Sequence, residues 1–107
     1  RQDRREALNE PGTDMVVGLC TVELFIADSR SLKDKRQVVH SLKDRLRGKF
    51  NLSVAEVDAQ DLWQKTVLAM ACVANEGSHV SRVLEQALNV IKSVPAVDVV
   101  RTQLDML

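Results

Sequence analysis

The chain has 107 residues, 45% hydrophobic and 28% charged, with fifteen Lys and Arg balanced by fifteen Asp and Glu for a formal charge of zero. That length suits one domain with its own core, and the balance excludes a disordered polyelectrolyte tail. With no apolar run of the roughly 18 residues a membrane span needs, no apolar signal core, and Cys20 and Cys72 too far apart for a framework, a cytoplasmic protein with reduced, buried thiols is expected.

Residues 1–14 are polar, contain Pro11-Gly12 and show no sustained period, so they read as a flexible leader ahead of a single domain over 15–107. Residues 16–26 follow as a strand, rich in Val, Leu, Ile and Phe. Val17, Leu19 and Phe25 fall on one parity and Val16, Cys20, Val22, Leu24 and Ile26 on the other, the pattern of a strand covered on both faces. Ser31 then caps a helix, with Asp34 in the positive first turn. Leu32, Val38, Val39, Leu42 and Leu46 share an arc of about 120° that forms its core face, and Gly48 is the expected stop.

Residues 50–58 read as a second strand, in which Phe50, Leu52 and Val54 alternate with Asn51, Ser53 and Ala55. The short link Ala59–Gln64 leads to a third strand over 65–74, apolar on both parities, which predicts an antiparallel hairpin. Ser78 is expected to cap a second helix running to about Ser93, with Val80, Val83, Leu84, Ala87, Leu88, Ile91 and Val94 on one face. Pro95 ends it, and residues 97–106 give a more polar, edge-like fourth strand.

The order β-α-β-β-α-β specifies an α+β, ferredoxin-like sandwich: a four-stranded antiparallel sheet with both helices on one face. The first and third strands are then central, and their double apolar parity implies that the open sheet face meets something. A homo-oligomer packed sheet to sheet is the leading expectation, with a ligand or another protein as alternatives.

The zero net charge conceals an uneven layout. Residues 30–50 hold eight basic groups (Arg30, Lys33, Lys35, Arg36, Lys43, Arg45, Arg47, Lys49) against two acidic ones (Asp34, Asp44). Outside the leader, the rest of the chain holds four basic and nine acidic groups. Surface fields follow local arrangement rather than the total, so the molecule is polarised.

From Ser31 the text SLKDKRQVVHSLKDRLRGKFNLSVAEVDAQDLWQK carries a run SLKxKRxVVxSLxxRLRxxFNxSVAE and then a D-x-Q-D-x-W-Q turn. This run, with SHVSRVLEQAL in the second helix, closely resembles the YlxP-like family of small bacterial proteins of unknown function. The resemblance extends from Met15 to the C-terminus and implies a ferredoxin-like fold. The family's genes commonly lie among those for translation and ribosome-maturation factors, so it also implies an RNA- or ribosome-related role. No catalytic residues are established for the family, and none is carried over.

Three constellations remain. Lys33, Arg36, His40, Lys43 and Arg47 recur at helical spacing in a stripe about 80° wide and about 21 Å long, the scale of a phosphate backbone. Such a stripe contacts RNA backbone rather than bases; it fits equally a solvated helix face partly neutralised by Asp34 and Asp44, or one paired with a neighbouring subunit. At the hairpin turn, Glu56, Asp58 and Asp61 offer carboxylates for a hard cation or acid/base work, but no nucleophile or motif histidine accompanies them, and solvation or backbone capping is the commoner use. Asp61, Trp63 and Gln64 are instead an interaction candidate, with the only Trp set in a polar turn.

Finally, two Phe, one Trp and no Tyr disfavour base stacking on the sheet, and no Gly-rich phosphate loop or C-x-x-C motif occurs. No metal, cofactor or catalytic residue is expected. The leading expectation is a non-enzymatic accessory factor bound to RNA or the ribosome through its first helix. The alternative is a protein-interaction or scaffold module using the open sheet and the Asp61–Trp63 turn; a small hydrolase ranks last.

Overall fold

A computed structural model describes residues 14–107, so all but the last residue of the expected leader lies outside the described residues. In chain order the elements are β1 (Val16–Phe25), α1 (Leu32–Lys49), β2 (Ser53–Asp58), β3 (Lys65–Ala74), α2 (Gly77–Lys92) and β4 (Asp98–Met106). They form one sheet in the order β2-β3-β1-β4, every neighbouring pair antiparallel. This is the expected ferredoxin-like α+β arrangement, with β1 and β3 central and β4 at an edge.

Strand alternation decides where the core lies. Cys20, Val22 and Leu24 of β1 and Leu68, Met70 and Cys72 of β3 face the helices and are buried with Val39, Leu42 and Leu46 of α1 and Val80, Leu84, Ala87 and Ile91 of α2. Each fully buried Val, Leu or Ile contributes about 1.5–3 kcal/mol, and this one layer holds nearly all of them. Gly18 lets α2 approach β1: a Cβ there would lie 2.4 Å from Val80 Cγ1 and 2.8 Å from Leu84 Cδ1. Any larger residue would push the helix off the strand.

Element ends show where local signals prevail and where burial does. The Ser31 hydroxyl accepts the Asp34 N–H at 3.0 Å, and the Asp34 carboxylate accepts the Arg30 N–H at 3.0 Å. This reciprocal cap satisfies a donor the helix leaves orphaned and holds the chain entering it. At the other end α1 runs through Gly48 to Lys49 and closes on extended Phe50, whose N–H donates to the Leu46 carbonyl at 2.9 Å. Gly48 is therefore not the stop; Phe50 and Leu52 turn the chain by packing on the core. They do so ahead of the ladder, so β2 begins at Ser53 rather than residue 50. Likewise α2 begins with Glu76 at the N-cap and no side-chain cap bond, leaving Ser78 inside the first turn. Burial of Val80 and Leu84 holds that end in place of a hydroxyl.

Candidate functional site

The helices attach to the sheet differently, and the attachment of α1 determines which way its cations point. Arg47 donates to the Val54 carbonyl of β2 at 3.0 Å. More than three turns earlier on the helix, Lys35 is 1% exposed: its ammonium lies 2.9 Å from Glu56 Oε2 of β2 and donates to the carbonyls of Ala59 and, at 3.1 Å, Gln60. Glu56 Oε2 also accepts from the buried hydroxyl of Thr66 on β3. The clamp fixes α1 over β2 and fixes the β2–β3 turn, where Ala59 adopts a left-handed φ of 61°.

This clamp removes Lys35 from the surface cations counted above and removes Glu56 from the carboxylate group. Lys35 shares the spacing i, i+4, i+7, i+11 with Val39, Leu42 and Leu46, so helical periodicity places it on the core face. That signal is present in the sequence and is overridden there by the residue's charge. A bulge between Glu56 and Asp58 breaks the strict alternation that would have set the two acids on one strand face. The Asp58 carboxylate instead accepts the Ala59 N–H at 2.7 Å. Among the described residues, no group of three His, Cys, Asp or Glu is arranged to hold a metal ion.

The stripe itself lies along the outer flank of α1. Lys33, Arg36, His40 and Arg47 are exposed and Lys43 is half-buried against the neighbouring core face. His40 faces Asp44 at 3.2 Å, while Lys33, Arg36 and Lys43 enter no ion pair among the described residues. Asp34 accepts the Arg30 N–H at the cap and keeps its charge beside the first turn. The result is a line of cations of which only His40 is in direct contact with a carboxylate among the described residues.

The hairpin turn has two unlike parts. The Gln64 side-chain amide donates to the carbonyls of Ala27 at 2.9 Å and Ser29 at 3.3 Å, and the Gln64 backbone carbonyl accepts the Ile26 N–H at 2.8 Å, so Gln64 ties the turn to the β1–α1 loop. Trp63 is 55% exposed, beside exposed Leu62 and near Phe25, and these line a shallow depression with Gln64 and Lys65. Asp61 is exposed. This apolar corner borders the open sheet face, where Val17, Leu19, Val67, Ala69, Ala71 and Val73 alternate with the inward core residues and Lys65 pairs with Glu23 at 3.4 Å.

Cys20 and Cys72 are unpaired and buried on adjoining strands, and burial pushes both thiols above their ordinary range. They are packing groups, with neither the exposure nor the positive surroundings of a reactive thiolate. No helix among the described residues is long and apolar enough to cross a membrane.

Comparisons with known proteins agree with the motif run. A family model described as "Protein of unknown function (DUF503)" matches residues 17–104. The "Uncharacterized protein YlxP" of Bacillus subtilis (strain 168) is 34% identical over 83 residues, 78% of this chain and 90% of that protein. Among solved structures, "De novo designed protein Foldit4" aligns with a TM-score of 0.49 and 12% identity over 87% of this chain and 96% of the design. With a family model spanning nearly all of the described domain, the chain belongs to the YlxP-like DUF503 family of proteins of unknown function.

Proposed function

We propose that the protein is a non-enzymatic, cytoplasmic accessory factor that docks the outer flank of α1 on the phosphate backbone of RNA, ribosomal or precursor RNA in the first instance. The observation that carries this reading is the row Lys33, Arg36 and Lys43, none of which enters an ion pair among the described residues, on a helix whose roll is fixed by the Lys35–Glu56 clamp. Arg47 extends the row, with one guanidinium nitrogen already on the Val54 carbonyl, and His40 lies within it beside Asp44. Backbone contacts of this kind release counterions, so binding falls steeply with salt and discriminates little between sequences. Arg36→Glu with Lys43→Glu is expected to abolish retention of RNA in a low-salt filter assay while the far-UV spectrum stays native. Retention equal to wild type would sink the reading.

A second reading rests on the apolar corner. Exposed Phe25, Leu62 and Trp63, contiguous with the small apolar residues of the open sheet face, suit a protein-interaction or scaffold module in which a partner, a second copy included, packs against that face. A pull-down whose yield resists nuclease and high salt but is lost with Trp63→Ala would favour this reading over RNA docking.

A further inference from the structure

The two edges of the sheet are protected unequally. The β2 edge is six residues long, bulged before Asp58, and has its Val54 carbonyl occupied by Arg47. The β4 edge is nine residues long; beyond its bulge at Val100 it runs regularly from Arg101 to Met106, contains neither Pro nor Lys, and carries exposed Leu104 and Met106 beside charged Arg101 and Asp105. A long edge that carries exposed apolar side chains and is uncovered among the described residues is what soluble proteins usually avoid unless it is paired.

The pairing geometry of β4 can be read from its inner side. Leu107 donates its N–H to the Val17 carbonyl at 2.8 Å, which makes Val17 and Leu107 a hydrogen-bonded pair. Antiparallel ladders alternate, so Asp105, Gln103 and Arg101 turn their backbone groups toward β1, and Met106, Leu104 and Thr102 turn theirs outward. Between the bulge at Val100 and the strand end, the edge therefore offers donors and acceptors on Thr102, Leu104 and Met106 that are free among the described residues.

We infer that a second copy of this chain occupies that edge, with β4 pairing antiparallel to β4 about a two-fold axis through Gln103. In this register Thr102 of one copy and Leu104 of the other exchange both backbone hydrogen bonds, and the outward-facing groups meet only outward-facing groups. Gln103 faces Gln103 in a non-hydrogen-bonded pair, the closer of the two spacings. Arg101 of each copy lies opposite Asp105 of the other, so the charges complement themselves twice. Neither of these two charges neutralises the other within one chain, because four residues of extended strand hold them about 13 Å apart. The sheets fuse into one of eight strands, and the open faces stay free.

The test separates this interface from sheet-to-sheet packing and does not depend on RNA binding. Light scattering after size exclusion of the 107-residue chain is expected to give a dimer at micromolar concentration. Arg101→Asp and Asp105→Arg alone should each weaken it roughly ten-fold or more by setting like charges opposite one another, and the double swap should restore it. Gln103→Cys should form a covalent dimer on mild oxidation, since a non-hydrogen-bonded pair has a Cα separation a disulfide accepts, whereas Val73→Cys on the open face should not. Circular dichroism of each variant separates loss of pairing from loss of fold. A wild-type monomer, a double swap no better than the single variants, or crosslinking at Val73→Cys and not at Gln103→Cys would each overturn the proposal.

Discussion

The two helices cover the same sheet by different means. α2 lies across the central strands on Val80, Leu84, Ala87 and Ile91, comes close enough to need Gly18, and has no side-chain cap. α1 lies over the β2 edge and adds polar fasteners to its apolar contacts: the Ser31 cap, the Lys35–Glu56 clamp and the Arg47–Val54 bond. Apolar contact tolerates small rotations of a helix, whereas a buried ion pair does so poorly. The helix that presents surface charge is thus the one whose orientation is fixed by directional bonds.

The largest effect should come from breaking the clamp. Glu56→Ala leaves the Lys35 ammonium buried without its carboxylate and is expected to cost about 3–5 kcal/mol in urea unfolding. Lys35→Met with Glu56→Leu should recover most of that loss, because removing both charges also removes their desolvation cost. If the double variant were as unstable as the single, the clamp would not be the source of the loss. Leu84→Ala, the corresponding break under α2, should cost about 2–5 kcal/mol through its cavity and, on the RNA-docking reading proposed above, leave the salt dependence of retention by the folded fraction unaltered. Ser31→Ala should cost about 1 kcal/mol, visible as a fall in the urea midpoint at unchanged slope. Arg36→Glu with Lys43→Glu should shift stability by no more than about 0.5 kcal/mol, since neither residue enters an ion pair among the described residues.

The thiols give a pH-dependent probe of the core beneath α2. Burial raises both above their unfolded range, so the folded state holds its thiol protons more tightly. Their contribution is complete below the unfolded thiol range, near pH 8.5, and is lost as pH rises through the folded values. Denaturation midpoints should therefore decline on the alkaline side, less so in Cys20→Ala with Cys72→Ala. Neither thiol should react with a disulfide reagent until the protein unfolds.

Much of this was legible in the chain. Element order, the buried faces of both helices, the Ser31 cap and the edge position of β4 all follow from periodicity and local chemistry. The ends of α1 and α2 were less so, because Phe50 and Val80 settle them through tertiary burial that no local signal encodes. The stripe was visible as a pattern, but the pairing of its neighbours was not: only the fold shows Lys35 turned inward onto Glu56 and the Asp34 carboxylate on the Arg30 N–H. A charged residue on a core arc stands for two opposite outcomes until its partner is known, and the partner of Lys35 lies twenty-one residues further on, at Glu56.

The strand order bears on valency. β2 and β4 lie at opposite margins of the sheet, so the cationic helix and the self-pairing edge are as far apart as the fold allows. A two-fold axis normal to the sheet keeps both cationic helices on the same side, about seven strand spacings of ~4.8 Å, or ~34 Å, from each other. If α1 docks on RNA as proposed, then once one helix of such a dimer is engaged the second samples the same ligand at high effective concentration, and two weak contacts act as one tight grip. Such a dimer would distinguish an RNA by the spacing of its backbones in space, a property that a single helix cannot measure.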